Sequence, residues 1–208
     1  MKDLHVKVEF LEEILGTSPR NEDVYREFIG KKAPDAPSID DEVAALGADS
    51  VAEKGMTVFP RDEKGRPFLY DYQIKGFFKD ACSMLSRCAG KDPETGKKIP
   101  TNESSKMTAF KKVIDGTIFV LPRKIPIMFD GKVGEIQRPL RAMTMQGERV
   151  SLACSETCPE GSTIEFTVRL LNDKDVNAVL EWLDYGILRG IGQWRNSGKG
   201  RFSYEIIE

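Results

Sequence analysis

This 208-residue sequence predicts an α+β fold, and three observations carry the prediction. Leu4, Val6, Val8 and Phe10, and again Ile164, Phe166, Val168 and Leu170, alternate with polar residues, the two-residue period of half-buried strands. Ile74, Phe77, Phe78, Ala81 and Leu85 recur at three- and four-residue spacing, as do Val176, Val179, Leu180, Leu183 and Ile187, which marks two amphipathic helices. The order is strand, helix, strands, helix, strand, the βαββαβ split unit of a ferredoxin-like domain. With 40% hydrophobic residues the chain is long enough to bury one core, so residues 1–208 are read as a single domain.

Taken in order, the first strand ends near Phe10, and a segment of about 11–55 follows that is rich in Pro, Asp and Ala. Pro19, Pro34 and Pro37 break it, leaving two short helical candidates, Asn21–Ile29 and Ser38–Leu46. Ser38 is a suitable N-cap for the second, with Asp40, Asp41 and Glu42 in its first turn. The segment reads as an insertion after the first strand, so that the core is about 1–10 and 56–208. A short strand, Met56–Pro60, precedes the turn Asp62-Glu63-Lys64-Gly65. The first main helix runs from Asp71 to about Arg87. Gly90–Ser105 reads as a loop and Ser105–Val113 as a short helix. Strands are expected at Thr117–Leu121, Ile136–Met143, Arg149–Ser155 and Ser162–Leu171, the second main helix at Asp173–Leu188, and a last strand at Arg201–Ile207.

Composition removes several function classes. Thirty-one Lys and Arg against 33 Asp and Glu give a net charge of −2, which excludes a bulk polycation and an acidic disordered tail alike. The charge is unevenly spread: residues 1–60 hold seven basic and thirteen acidic side chains, residues 61–100 nine and six, and residues 101–208 fifteen and fourteen. No apolar run approaches the roughly 20 residues that span a bilayer, and the alternating, charged N-terminus is unlike a signal peptide. A soluble, cytoplasmic protein without a membrane partner is expected. Cys82, Cys88, Cys154 and Cys158 are spaced C-x5-C and C-x3-C, not as the C-x2-C of zinc knuckles, and the only histidine is His5. Reduced structural thiols are expected, with no metal and no cofactor. One histidine in a strand also argues against Ser-His-Asp and Cys-His catalysis.

Three stretches carry more specific information. Gly190-Ile191-Gly192-Gln193-Trp194-Arg195-Asn196-Ser197-Gly198-Lys199-Gly200-Arg201-Phe202 places two G-x-G pairs around polar and aromatic residues. The wider span from Tyr185 to Ser203 holds Arg189, Arg195, Lys199 and Arg201 and no acid. Cations around a flat aromatic suit a phosphodiester backbone with unstacked bases. The loop follows a helix and precedes a strand, so it is not a dinucleotide fingerprint, and Gly198-Lys199-Gly200 lacks the hydroxyl of a P-loop. A glycine-rich turn whose Trp packs inward is the plainer alternative. In the second stretch, Gly65 to Lys79, Lys75 and Lys79 share one face of a helix whose first turns include Gly76, an arrangement suited to an anion or to solvated lysines over a close helix–sheet contact. The third, Glu156 to Phe166, turns tightly at Pro159 and Gly161 and reads as structural.

In this order the three segments resemble the RAMP superfamily of CRISPR RNA-guided effector complexes, nearest to the backbone subunits that polymerise along a guide RNA. Similar proteins show "P-hydrophobic-(I/L)-x-G-S-S-(L/I)-K-G", "E-x-(hydrophobic)-P-x-G-(S/T)-x-(hydrophobic)-x-F" and a glycine-rich loop after the second helix. These correspond here to Pro67–Gly76, Glu156–Phe166 and Gly190–Gly200, and the likeness covers most of 1–10 and 56–208. The resemblance implies a ferredoxin-like (RRM-like) domain on single-stranded RNA, with head-to-tail stacking of copies or of other RAMP-like subunits. Where the family has Gly-Ser-Ser, this chain has Asp71-Tyr72-Gln73, which loses the hydroxyls that would meet phosphate. In type III backbone subunits an Asp after the first strand cleaves target RNA; the insertion offers Asp23, Asp35, Asp40, Asp41 and Asp49 with nothing to select one. The overall sequence also looks like a protein of phages and mobile elements of Gram-positive bacteria, through Glu12–Thr17 and Arg26–Pro34.

The leading expectation is therefore a non-enzymatic, oligomeric binder of single-stranded RNA or DNA, RNA ahead of DNA. Lys75, Lys79, Arg189, Gln193, Trp194, Arg195, Asn196, Lys199 and Arg201 would contact it, and Gly76, Gly190, Gly192, Gly198 and Gly200 would be structural glycines; no catalytic residue is assigned. The alternative is a phage-encoded protein–protein module that mimics or caps a nucleoprotein assembly, as an anti-defence protein would. A third reading is a carboxylate-dependent nuclease with Asp40, Asp41 and Glu42 around a divalent ion, against which these acids simply cap a helix.

Overall fold

The computed structural model describes residues 1–20, 56–144 and 147–207, with side chains outside 140–152. The two helical candidates Asn21–Ile29 and Ser38–Leu46 and all five insertion aspartates lie outside the described residues. The strands are β1 (Lys2–Phe10), β2 (Ile14–Leu15), β3 (Ser18–Pro19), β4 (Thr57–Val58) and β5 (Phe68–Tyr70), followed by helix α1 (Asp71–Leu85). Next come β6 (Gly90–Lys91), β7 (Lys98–Ile99), α2 (Glu103–Lys106), α3 (Phe110–Thr117), β8 (Ile118–Leu121) and β9 (Lys124–Pro126). A long hairpin of β10 (Gly134–Thr144) and β11 (Gly147–Cys158), then β12 (Thr163–Leu170), α4 (Val176–Arg189) and β13 (Phe202–Ile207), completes the α+β chain.

The main sheet has strand order β13-β1-β12-β8, each neighbour antiparallel. Period-two alternation decides which face is buried: Leu4, Val6, Val8 and Phe10 of β1 and Ile164, Phe166, Val168 and Leu170 of β12 all point into the core. Helices α1 and α4 cover that face. Ile74, Phe77, Phe78, Ala81 and Cys82 are the buried residues of α1, and Ala178, Val179, Trp182, Leu183 and Gly186 those of α4; the Phe78 and Trp182 ring centres lie 5.4 Å apart. At Gly186 a Cβ would stand 2.0 Å from the Phe202 ring, so this glycine lets α4 lie directly on β13.

Three elements differ from expectation. The apolar stripe of α4 is rotated, because Trp182 is buried through a hydrogen bond from its Nε1 to Ser104 Oγ (2.9 Å) while Ile187 is 48% exposed. Periodicity marks a stripe's width but not its phase. The single helix expected at Ser105–Val113 is two, α2 and α3, separated at Ala109, whose φ of 49° is left-handed. Helix α2 starts early because the Glu181 carboxylate of α4 accepts from the Glu103 and Ser104 amides at 2.7 and 3.3 Å, a cap supplied from across the fold. The strands expected at Ile136–Met143 and Arg149–Ser155 are present but leave the main sheet: β10 and β11 pair with each other, and β11 continues to β4, β3 and β2.

The turn after β11 has the expected structural role. Gly161, at φ 79°, donates its amide to the Phe10 carbonyl at 2.8 Å. Glu156 just before it accepts from the Phe59 amide (2.9 Å) and pairs with Arg61 (2.7 Å). All four cysteines are free; Cys82, Cys154 and Cys158 are buried and Cys88 is exposed. Among the described residues no helix is long and apolar enough to cross a membrane.

Candidate nucleic-acid interface

Helix α4 ends because Gly190 takes φ 75°, which a side chain rarely tolerates, while its amide still bonds the Gly186 carbonyl. The two G-x-G pairs then clasp each other. The Ile191 amide bonds the Gly200 carbonyl at 2.9 Å, and a Cβ on Gly200 would lie 2.0 Å from the Ile191 carbonyl oxygen. One on Gly190 would lie 2.6 Å from the Lys199 carbonyl oxygen. Residues 192–198 are thus thrown outward as a closed loop with short ends. At its tip Trp194 has φ 54°, a left-handed conformation uncommon for a bulky residue, and a 3₁₀ turn, Arg195–Ser197, follows. Gln193 ties the loop to the residue that follows β2 by donating to the Gly16 carbonyl at 3.1 Å.

The loop frames an open cleft of about 470 Å³ lined by Gln193, Trp194, Arg195, Asn196, Arg189 and, from β10, Arg138. Arg138 donates to Ser197 Oγ at 2.5 Å and holds its guanidinium 5.3 Å from the Trp194 ring centre. It forms no ion pair among the described residues. Arg189 Nε and Arg195 converge on one oxygen of Asp80 in α1, at 3.0 and 2.7 Å, and Arg189 also donates to Asn196 at 2.8 Å. Among the described residues, three guanidinium groups therefore face the cleft against one carboxylate, a net positive lining with a flat aromatic wall.

The structure brings together Arg189, Gln193, Trp194, Arg195 and Asn196, and leaves the other candidate cations elsewhere. Lys199 pairs with Glu13 at 2.8 Å and Arg201 with Glu12 at 3.2 Å. Lys79 pairs with Asp115 at 2.6 Å; Lys75 donates to the Asp115 carbonyl at 3.2 Å and sits 5.1 Å from the Phe119 ring, its pKa lowered by desolvation. The local absence of acid from Tyr185 to Ser203 is thus made up by Glu12, Glu13 and Asp80 from distant positions. Gly76 needs correction as a structural glycine: it is exposed, and a Cβ there would meet nothing within 4 Å. The start of α1 is occupied by its own side chains. Asp71 accepts from the Tyr72 amide (2.8 Å) and Arg123 (2.6 Å), and Gln73 from the Tyr70 amide (2.7 Å), which puts a carboxylate where a phosphate would approach.

The open face of the main sheet is self-paired. Asp3 meets Arg169 at 2.7 Å, Lys7 meets Glu205 at 3.4 Å, and the hydroxyl of Thr167 lies 2.9 Å from His5 Nδ1. With Glu9 and Glu165 also exposed there, it offers no cationic track. Sequence reasoning missed Arg138 and Asp80. Neither carries a local signal, since β10 reaches the loop only through the hairpin and Asp80 only through helix packing.

No protein-family description matches the sequence, and no curated protein matches it. Among solved structures, the whole chain superposes on a chain of the type III-B Cmr-beta complex bound to cognate target RNA, determined by cryo-electron microscopy, with a TM-score of 0.51 and 10% sequence identity. The present chain spans 60% of that chain's length, and at this identity the likeness is one of fold.

Proposed function

We propose that the protein is a non-enzymatic binder of single-stranded nucleic acid, RNA ahead of DNA, built as one RAMP-like, ferredoxin-type domain over 1–208 and acting in the cytoplasm. The observation that carries this reading is the Trp194 cleft, where Arg138, Arg189 and Arg195 surround a stacking surface and, among the described residues, Asp80 alone offsets them. Sheet order β13-β1-β12-β8 with two helices on one face supports the domain type. The likeness to a chain from an RNA-bound complex supports RNA as the polymer. Phosphates would meet the three arginines and one base would lie on Trp194, with little discrimination between bases. Head-to-tail stacking of copies along the strand belongs to the same proposal.

The test is fluorescence anisotropy of labelled oligouridine and oligothymidine at several salt concentrations, together with Trp194 emission. Three phosphate contacts predict a log–log salt slope of about −2 for a single strand. Salt-insensitive or absent binding would overturn the reading. The alternative, a protein–protein module, draws on the internal pairing of Lys79, Lys199 and Arg201, which leaves fewer cations for phosphates. A purified protein that ignores both oligonucleotides yet retains one specific protein partner would favour it.

A further inference from the structure

The stretch from Arg87 to Lys112 carries seven basic side chains against three acidic ones, in a chain whose net charge is −2. Its centre is a hairpin. Strands β6 and β7 set Lys91 directly opposite Lys98, and Arg87, Lys91, Lys97 and Lys98 are all exposed. Cross-strand partners share one face of a ladder, where like charges directly opposite repel each other. Among the described residues none of these four cations has an acidic partner. The Asp92 carboxylate is occupied by the turn: it accepts from the Glu94 and Thr95 amides at 2.9 and 2.8 Å, while the Asp92 amide donates to the Lys97 carbonyl at 2.8 Å. Glu103 is held by Lys106 at 2.7 Å, which leaves Glu94 as the other acid of the stretch.

The hairpin is anchored at the end of α1. Asn102 donates to the Leu85 carbonyl at 2.9 Å, and the Thr101 hydroxyl to the Cys88 carbonyl at 3.4 Å. Asp80, the carboxylate that Arg189 and Arg195 share in the Trp194 cleft, lies on the same helix. Arg87 follows it by about two turns, so the two stand on one side of α1, about 10 Å apart along its axis. Arg20 and Met56, which bond to each other beside β3 and β4, lie toward the other end of that helix, where Gln73 donates to Thr17 at 2.8 Å. We propose that the Lys91–Lys98 hairpin is a phosphate-contacting arm for the single strand that occupies the Trp194 cleft, reached along the C-terminal half of α1. This rests on the reading of the cleft as a single-strand site, and adds a length requirement, since a strand must leave the cleft to meet the hairpin. Lysines held against their mutual repulsion are stabilised by a polyanion, and as flexible point charges they suit phosphates without selecting a base.

Two measurements test the arm. In the first, labelled oligouridines of about three and about twelve residues are titrated against wild type, Lys91→Gln/Lys98→Gln and Lys91→Arg/Lys98→Arg, with Trp194 emission reporting the cleft. The short strand is expected to bind all three alike. The long strand is expected to bind the glutamine variant about tenfold more weakly, with a log–log salt slope shallower by about 1.4, and the arginine variant as it binds wild type. Relief of the Lys91–Lys98 repulsion predicts a glutamine variant at least as stable as wild type, read from thermal midpoints. In the second, the backbone amides of Gly96 and Lys98 are followed by NMR as the long strand is added, which needs no binding at Trp194. Shifts there with unchanged Trp194 emission sink the cleft reading and sustain the hairpin contact. Equal long-strand affinity and slope for wild type and the glutamine variant overturn the hairpin contact and leave the cleft standing. Hairpin shifts caused by phosphatidylglycerol vesicles and not by the oligouridine overturn it too, making the patch a membrane contact.

Discussion

The guanidinium of Arg138 lies 5.3 Å from the centre of the Trp194 ring, joining the long β10–β11 hairpin to the loop after α4. Because Arg138 forms no ion pair among the described residues, its charge is the most available in the cleft. Arg138→Ala is expected to weaken oligouridine binding about tenfold, to lower the salt slope by roughly 0.7, and to shift Trp194 emission in the free protein. Fluorescence titration at two salt concentrations checks all three. An unchanged slope would remove Arg138 from the phosphate contacts.

Asp80 holds Arg189 and Arg195 on a single oxygen and lowers the cleft's charge. Asp80→Asn keeps an acceptor but removes the negative charge. Its expected effect is a loss of about 1 kcal/mol in folding stability, since both arginines and Asp80 are partly buried, and a tighter, more salt-sensitive hold on oligouridine. Denaturant unfolding and anisotropy on the same preparation separate the two. Weaker binding would instead make Asp80 a positioning residue for the arginines.

The glycines of the loop divide by what a Cβ would meet. Gly200→Ala drives a Cβ to 2.0 Å from the Ile191 carbonyl at φ 69°, so a loss of about 3 kcal/mol or more is expected. Gly198, at φ 84° with only the Arg201 side chain near 3.7 Å, should cost about 1 kcal/mol on substitution by Ala. Gly76→Ala, in an exposed helical position with open space, should stabilise by about 0.5–1 kcal/mol. Thermal or denaturant midpoints rank the three, and any other order would contradict the clasp.

Burial pushes the Cys158 thiol up from 9.0 to about 12, and burial with donation to Asp184 pushes the Tyr204 phenol from 10.0 to about 12. Both groups bind their protons more tightly when folded. Their contribution is fully present below the unfolded values and is lost as pH rises through the folded ones. Stability should therefore fall between pH 9 and 12, with a slope of at most about 1.4 kcal/mol per pH unit for each group. Cys158→Ala is expected to show a shallower alkaline loss, read from denaturant midpoints at pH 8 and 10.5. In the native wild type at pH 8, iodoacetamide should modify Cys88, the exposed thiol, and leave the buried three until unfolding.

Much of the frame was legible in the residues. Alternation placed β1 and β12 and chose their buried faces, because a strand's side chains can point only two ways. Spacing and glycines placed α1, α4 and the loop's limits, and the run Gln193 to Asn196 was marked as site material by composition alone. The family resemblance singled out the same loop on motif grounds. The phase of α4 escaped, since it depends on Trp182 finding Ser104 and on Gly186 admitting Phe202, contacts between residues far apart in the chain. So did the early start of α2, which the Glu181 carboxylate caps from across the fold.

Charge shows the division most clearly. By sequence the end of α4 and the loop after it carry four cations without an acid; in the fold Lys199 and Arg201 are matched by Glu13 and Glu12, and Arg189 and Arg195 share Asp80. Arg138 joins them from a hairpin that local pattern could mark as strands but could not aim. Local periodicity determined which segments form strands and helices, because it acts through neighbouring residues along the chain. Which cations remain available in the cleft was decided by tertiary packing alone, because Coulomb pairing depends on distance in space and not on distance in sequence.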